Sequence, residues 1–505
     1  MGKKGKSKGP VIPPGMSEEW FMCTQDTLGC SLVLSGINST PSKAPMPFHF
    51  TKGQAAQYLW QNALVSKDKL DEAVKEASVQ AAIKCIQVSP LLNEKTLSAG
   101  LLECCCLEEK WRDYIMTQCI KPYGSIVPAL VSCLNAGSAA AEVSAFRALR
   151  ALCDTDDVRP IVCKHLNNVK EGWHRITSCI RDCLDPMAKL EGCNLLVLCL
   201  QHDPASRVKI SDWRSTFDCL QDTVANPKWG EAVRGMAMRA IRFLLIHRPN
   251  KEVLLKRDGL ALTIDYCKEC SKQDSLFDFE ARCAGANVMW QLVEDRTLPY
   301  GLPKTRDAED TNITEPGPEM TARAFQCIIN DAVEPLVVMC CGPLPSDVLK
   351  EPPPPPGKKG KKAKGKKKKG KGPPMPPGGE DCMQFAVGAL RALTLWEEGR
   401  DALCAAVDGY GCRAVVLLLE SKVEQTRWHA TGVLLNIAAH GTRVPKLEAA
   451  GAPPYFTNVP PRRVNASWQS YEGPVTPRPV TSLGDPRPST GGPDAAAPGM
   501  AAVGA

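Results

Sequence analysis

A short pattern returns along the chain at nearly constant intervals: a small residue, then apolar residues four and seven positions later. It reads Ala145, Leu149, Leu152; then Gly192, Leu196, Cys199; then Ala237, Ile241, Leu244. It returns as Ala386, Leu390, Leu393 and as Ala430, Leu434, Ile437. Weaker copies begin at Ser98, with Leu102 and Cys105, and at Ala284, where Val288 fits but Gln291 does not. These offsets share one face of a 3.6-residue helix, so each copy predicts one amphipathic helix. Its small leading residue permits close helix packing. The starts at 98, 145, 192, 237, 284, 386 and 430 are separated by 47, 47, 45, 47, 102 and 44 residues. No strand-like alternation competes in this region. The pattern predicts a stack of repeated helical units.

Composition agrees with a chain that folds. It has 505 residues, 44% of them apolar and 23% charged, room for roughly three domains or one long array. Leu, Val and Ile are too frequent for a wholly disordered chain. No run approaches the ~20 apolar residues of a membrane-spanning helix. The start, Met1-Gly2-Lys3-Lys4-Gly5-Lys6, has no apolar segment behind it, which points away from a secretory leader. Lys6 also stands where a myristoylation signal wants Ser or Thr.

The net charge of +7 divides unevenly. Four lysines fall within residues 1–9 and ten within Lys358–Lys371, which leaves 48 basic against 55 acidic side chains. The body is therefore mildly acidic and carries two cationic patches. The 24 cysteines sit among aliphatic residues, as at Cys104-Cys105-Cys106 and Cys340-Cys341. They read as small apolar core residues of a reducing compartment, not as a disulfide framework. Sequons at Asn38, Asn312 and Asn465 then carry no glycan.

A period of 44–47 residues falls in the armadillo/HEAT range of ~40–47. Ala332-Val333-Glu334-Pro335-Leu336-Val337-Val338 resembles the armadillo turn into its second helix, and Glu448-Ala449-Ala450-Gly451-Ala452-Pro453-Pro454 resembles the same turn near the C-terminal end. Arg257-Asp258-Gly259-Leu260 and Asp408-Gly409-Tyr410-Gly411 place glycine where that family breaks a helix. The resemblance spans residues 55–452 and implies an all-α, right-handed superhelical solenoid of armadillo type. It says little about function.

The organisation expected is an irregular basic extension over 1–50, repeats over 51–345, a Pro/Lys-rich disordered insertion over 346–380, further repeats over 381–452 and a Pro-rich extended tail over 453–505. The 102-residue gap is one period plus extra chain. The second-helix signature at Ala332–Met339 precedes the insertion and the phrase at Ala386 follows it, so the loop is expected to interrupt a single repeat. Proline, glycine and dense like charge cannot continue a helix there.

No catalytic constellation survives inspection. There is no phosphate-binding loop, no His-Glu-x-x-His, no Gly-x-Ser-x-Gly and no Gly-x-Gly-x-x-Gly opening a helix. Cys267 and Cys270 have zinc-knuckle spacing, and Cys179 and Cys183 stand one helical turn apart. Tetrahedral zinc needs a second such pair at a useful distance, and a redox motif wants a βαβ context. Core cysteines are the plainer reading.

The insertion is the sharpest feature. Lys358, Lys359, Lys361, Lys362, Lys364, Lys366, Lys367, Lys368, Lys369 and Lys371 form a polycation without an aromatic residue for base stacking. Acidic tubulin tails, RNA, anionic lipid or an importin are candidate polyanions, and a solvated loop without a partner is the bland alternative. Five residues after the phrase start stand Arg150, Arg242 and Arg391, about 140° from the core face and hence outward. Armadillo proteins line a concave groove with their third helices, and importin-like members carry Trp and Asn there four residues apart. Asn436 matches the Asn position, whereas Gly432 stands at the Trp position, which argues against an import receptor. In the tail, Tyr455, Phe456, Trp468 and Tyr471 are candidates for docking, either on a partner or back on the last repeat.

Together these features predict a non-enzymatic scaffold. Among armadillo proteins the arrangement resembles those of ciliary and flagellar axonemes, which implies axonemal proteins and tubulin as partners and a place in the cytoplasm, on the cytoskeleton. No cofactor, metal, small-molecule substrate, membrane or nucleic acid is expected. A soluble adaptor or regulatory subunit, with nuclear shuttling directed by the lysine run, is the alternative. An enzyme using Cys267 and Cys270 is a third class.

Overall fold

The computed structural model describes residues 30, 31, 34, 52–119, 124–169, 172–211, 215–294, 318–341, 379–439 and 441–457. Among them there are helices and no strand. The lysine run and the tail beyond 457 lie outside the described residues.

The repeat array opens with α1 (Lys52–Val65) and continues as triads. The first holds α2 (Lys67–Lys75), α3 (Ser78–Val88) and α4 (Leu92–Leu107); the second holds α5 (Glu109–Thr117), α6 (Ile126–Cys133) and α7 (Ala139–Cys153). Then come α8 (Arg159–Asn168), α9 (Gly172–Asp182) and α10 (Pro186–His202). They are followed by α11 (Pro204–Ser211), α12 (Ser215–Ala225) and α13 (Gly230–Leu244). The next triad is α14 (Pro249–Leu255), α15 (Gly259–Cys270) and α16 (Phe279–Val293). The last two are α17 (Pro318–Ile329), α18 (Val333–Cys340) and α19 (Gly379–Leu393), then α20 (Glu397–Ala405), α21 (Gly411–Leu417) and α22 (Glu424–Ala438). Two short helices, α23 (Val444–Ala449) and α24 (Pro454–Thr457), close the described chain.

Every third helix, counting α1, α4, α7, α10, α13, α16, α19 and α22, packs on the one before and the one after it. The phrase residues are the seam. Ser98, Ala145, Ala237, Ala284, Ala386 and Ala430 are buried, and so are the apolar residues that follow them. The mismatched Gln291 is half-buried and donates from Nε2 to the Arg242 carbonyl of α13 at 3.4 Å. At Gly192 the approach is closest to a limit: a Cβ would lie 2.6 Å from Ile180 Cγ1 and 3.0 Å from Phe146 Cζ. This is an all-α, armadillo-like solenoid.

α16 and α19 stack directly although 85 residues separate them in sequence. α17 and α18 pack against both α15 and α19, so α17, α18 and α19 form one triad whose second and third helices are joined through residues 341–378. Within the first fifty residues, expected to be irregular, Cys30, Ser31 and Leu34 are helical and buried, and Ser31 Oγ lies 2.6 Å from Ser78 Oγ.

Local chemistry fixes the helix ends. Three third helices, α7, α10 and α16, start at side-chain caps: Ser138 Oγ accepts from the Ala141 N–H at 3.3 Å, Asp185 Oδ1 from Met187 at 2.7 Å, and Asp278 Oδ1 from Ala281 at 2.8 Å. The turn into α15 puts Asp258, not a glycine, in the left-handed region at φ 56°. Gly259 is needed one residue later, because a Cβ there would meet Leu254 Cγ at 2.3 Å.

Orphan carbonyls at the helix C-termini are satisfied by cations from the following helix. Arg112 Nε donates to Cys106 O at 2.9 Å, Arg159 Nε to Cys153 O at 2.6 Å, Arg207 Nε to Leu200 O at 2.6 Å, and Arg400 Nη1 to Leu395 O at 2.9 Å. Lys189, Arg234 and Arg427 do the same for the segments before their own third helices, through Ile180 O, Val224 O and Ser421 O. Each places positive charge at a helix C-terminus or a chain reversal, where backbone carbonyls point.

The described cysteines are unbridged, and all but Cys341 are buried. Burial pushes most of their thiols up, for instance those of Cys133 and Cys219 to about 12. Such groups pack as small apolar side chains.

Gly192→Val should lower stability by about 1–3 kcal/mol, the cost of overpacking a filled contact. Urea and thermal unfolding followed by circular dichroism would measure it. Unchanged stability would mean that α7, α9 and α10 do not meet as closely as the structure has them.

Candidate binding face on the third helices

Because the third helices lie side by side, side chains beside their core positions form one continuous face. Its N-terminal half is ion-paired. Arg147 on α7 reaches Glu103 Oε1 of α4 at 3.5 Å and Glu191 Oε1 of α10 at 3.1 Å, and Arg150 Nη1 reaches Glu191 Oε2 at 3.0 Å. Glu191 is buried beneath the two guanidinium groups.

The C-terminal half is built from rings and cations. The Arg242 guanidinium of α13 lies 4.9 Å from the Phe385 ring of α19. Phe385 stacks on Trp290 of α16 with centroids 5.8 Å apart, and Trp290 meets His429 of α22 edge-on at 5.1 Å. Trp428 lies beside His429 at 4.9 Å, and the Arg391 guanidinium covers Trp428 at 3.7 Å. Cation–π pairing of this kind holds arginines flat against the helix surface.

The sequence-derived candidates therefore fall on this face, each engaged with a neighbouring third helix. Arg150, Arg242 and Arg391 are half-buried, not fully extended into solvent. Arg150 pairs with Glu191, Arg242 also donates to Cys283 Sγ at 3.7 Å, and Arg391 lies across Gly432. A Cβ at Gly432 would be 2.6 Å from Arg391 Nε, so the position where importin-like proteins carry Trp is the one the arginine crosses. Asn436 Nδ2 donates to Thr394 Oγ1 at 3.1 Å and to Arg391 O at 3.3 Å, bridging α22 to α19.

Of the tail aromatics, Phe456 is fully buried in α24, which packs on α22 and α23, while Tyr455 beside it is exposed. Trp468, Tyr471 and the lysines from Lys358 to Lys371 lie outside the described residues.

Sequence reasoning missed Trp290, Phe385, Trp428 and His429. A signal existed: Phe385 and His429 immediately precede phrase starts, and Trp290 stands six after one. These offsets are seven apart and share a helix face. The polar atoms here are poorly satisfied. Trp290 Nε1, both His429 ring nitrogens and Thr426 Oγ1 are buried without a hydrogen-bond partner among the described residues. Burial, and then Arg391, push the His429 pKa down to about 3.

The other cysteine pairs have a different character. Cys267 and Cys270 are both buried, and burial pushes both thiols well above the ordinary range. Burial raises Cys179 and Cys183 in the same way. Among the described residues no group of three His, Cys, Asp or Glu is placed to hold a metal ion, and no helix is long and apolar enough to cross a membrane.

An engineered protein known from its crystal structure is similar over 84% of this chain and 82% of its own, at 16% identity and a TM-score of 0.52. That likeness supports the fold. A designed armadillo repeat protein is also similar, over 53% of this chain and all of its own, at 12% identity and a TM-score of 0.41. No protein-family model matches the chain, and no curated protein resembles it in sequence. The fold and this face define an armadillo-like repeat protein with a ladder of ion pairs at one end and of aromatic and cationic side chains at the other.

His429 also sets a pH dependence. Its folded-state pKa of about 3 lies below the ordinary 6.5, so the unfolded chain takes up a proton that the folded one refuses. The contribution is complete above the unfolded pKa and is lost as pH falls toward the folded one, at up to ~1.4 kcal/mol per pH unit. His429→Phe should therefore flatten the fall of the urea midpoint between neutral pH and mild acid. Parallel profiles for variant and wild type would remove His429 from this account.

Proposed function

We propose that the chain is a non-enzymatic protein-binding scaffold whose third-helix face holds an extended partner segment. The observation that carries this is the C-terminal half of the face. There the exposed Trp428 lies beside the half-buried Arg391, and the half-buried Arg242 lies over Phe385, so rings and cations alternate at the surface. A segment carrying apolar and acidic residues would suit such a mix of rings and cations. Repeat solenoids use such long surfaces for recognition.

We place this scaffold in the ciliary or flagellar axoneme, as a microtubule-associated structural component. The charge pattern supports that reading: ten lysines within fourteen residues, without an acid, on an otherwise acidic body. Such a run attracts the acidic tails of tubulin, by an interaction that salt screens. The face and the lysine run would then act together through effective concentration. Axonemal proteins are the expected occupants of the face.

Co-sedimentation of the full-length protein with polymerised microtubules tests the placement. The protein should pellet at low ionic strength and be released as salt rises. Deleting Lys358–Lys371, or cleaving the acidic tails from tubulin, should each reduce the pelleted fraction several-fold. Pelleting that survives both changes would move the anchor to the third-helix face. A protein that stays in the supernatant throughout would instead be a soluble adaptor.

A further inference from the structure

Two positions of the recurring pattern face the following third helix. Two residues before its start, Thr96 Oγ1 lies 3.1 Å from Ser138 Oγ at the head of α7, and Gln384 of α19 donates to Gln425 of α22. At the same position a Cβ on Gly235 of α13 would lie 2.7 Å from Ala281 Cβ of α16. Five residues after the start, Glu103 reaches Arg147 of α7, Arg150 reaches Glu191 of α10, and Arg391 crosses Gly432 of α22. Where that second position is apolar, at Val197 and Met289, the residue is buried. The two positions are seven residues apart and form one forward stripe along each helix.

On α22 this stripe is Trp428 and Leu435. Among the described residues no further third helix follows; α23 and α24 pack on α22 instead. They leave Trp428 39% exposed and Leu435 half-buried. Tyr455 of α24, whose ring centroid lies 4.1 Å from that of Phe456, is 56% exposed. The array thus ends on an apolar surface that a neighbouring repeat would otherwise cover, and the end of a solenoid needs a cap.

We propose that the chain supplies this cap from its own tail, with Trp468 and Tyr471 lying against Trp428, Leu435 and Tyr455. The route is short, because α24 packs on α22 and delivers the chain at Thr457. Trp468 stands eleven residues beyond Thr457, a reach of about 36 Å for extended chain. That exceeds the ~22 Å length of the fifteen-residue α22. Pro460 and Pro461 favour an extended path over a helix. Trp468 and Tyr471 are the only aromatic residues after Phe456, and burying such rings removes roughly 150–250 Å² each from water. A tether this short holds them at an effective concentration on the order of millimolar, which favours them over a second copy or a separate partner. Trp428 also belongs to the partner face, so the cap would narrow that face at its C-terminal end. The capping itself does not depend on the partner reading.

Photo-cross-linking of the full-length protein, with benzoylphenylalanine in place of Trp468, tests the contact. Trypsin releases Trp428 and Leu435 together in peptide 428–443, and the tail in a peptide that begins at Val464. Illumination should join these two peptides. In an equal mixture of isotope-labelled and unlabelled chains, the joined peptides should carry matching labels. Mixed labels would give the site to a second copy, and cross-links confined to other peptides would overturn the proposal. Amide exchange supplies a second reading with natural side chains. In the Trp468→Ala, Tyr471→Ala double variant, exchange over 428–443 should speed up several-fold while α7 and α10 stay as they were. Unchanged exchange over 428–443 would also overturn the cap.

Discussion

Where α7 meets α10, Gly192 leaves no room for a Cβ beside Ile180 and Phe146, and buried Ala or Ser repeats that approach along the ladder. Close contact at the leading position brings the apolar residues four and seven places on into register with the next helix. Dispersion and apolar burial then act over the full length of the seam. Each unit shares its core only with its neighbours, so the array is a chain of such seams. The direct stacking of α16 on α19 shows that long intervening sequence does not break the rule.

Burial of this kind would fail if the helix ends were left with bare carbonyls. A unit of three short helices has many ends for its size, and each end presents unpaired C=O groups. The chain meets them with arginine and lysine from the next element, as Arg112, Arg159, Arg207 and Arg400 do for third helices. Much of the positive charge in the folded body is therefore structural. An arginine on this solenoid is not by itself a sign of a partner.

That economy explains which features could be read from sequence. Apolar periodicity exposed the third helices and their spacing, because burial acts on every repeat alike. The capping cations were equally periodic, fourteen residues after the starts at Ser98, Ala145 and Ala386, but polar residues escape a search for apolar stripes. The aromatic ladder was harder. Trp290, Phe385 and His429 come from different repeats and meet only because the triad of α17, α18 and α19 closes across its insertion. The helical turn holding Cys30, Ser31 and Leu34 carried no periodic signal, since it packs once and is not repeated.

The two halves of the third-helix face are unequal as recognition surfaces for an electrostatic reason. In the N-terminal half, Arg147 and Arg150 already share the buried Glu191. An acidic partner would have to displace a carboxylate that is held close and desolvated, and stranding it would cost several kcal/mol. In the C-terminal half, Arg242 and Arg391 lie over aromatic rings, and the ring beside Arg242 attracts the cation but does not neutralise it. Arg242 is half-buried, so its charge can still be met by a carboxylate from a partner. A partner segment with an acidic residue among apolar ones would therefore gain most between α13 and α22. Along the paired end, contacts would be nearly neutral and would serve mainly to exclude water.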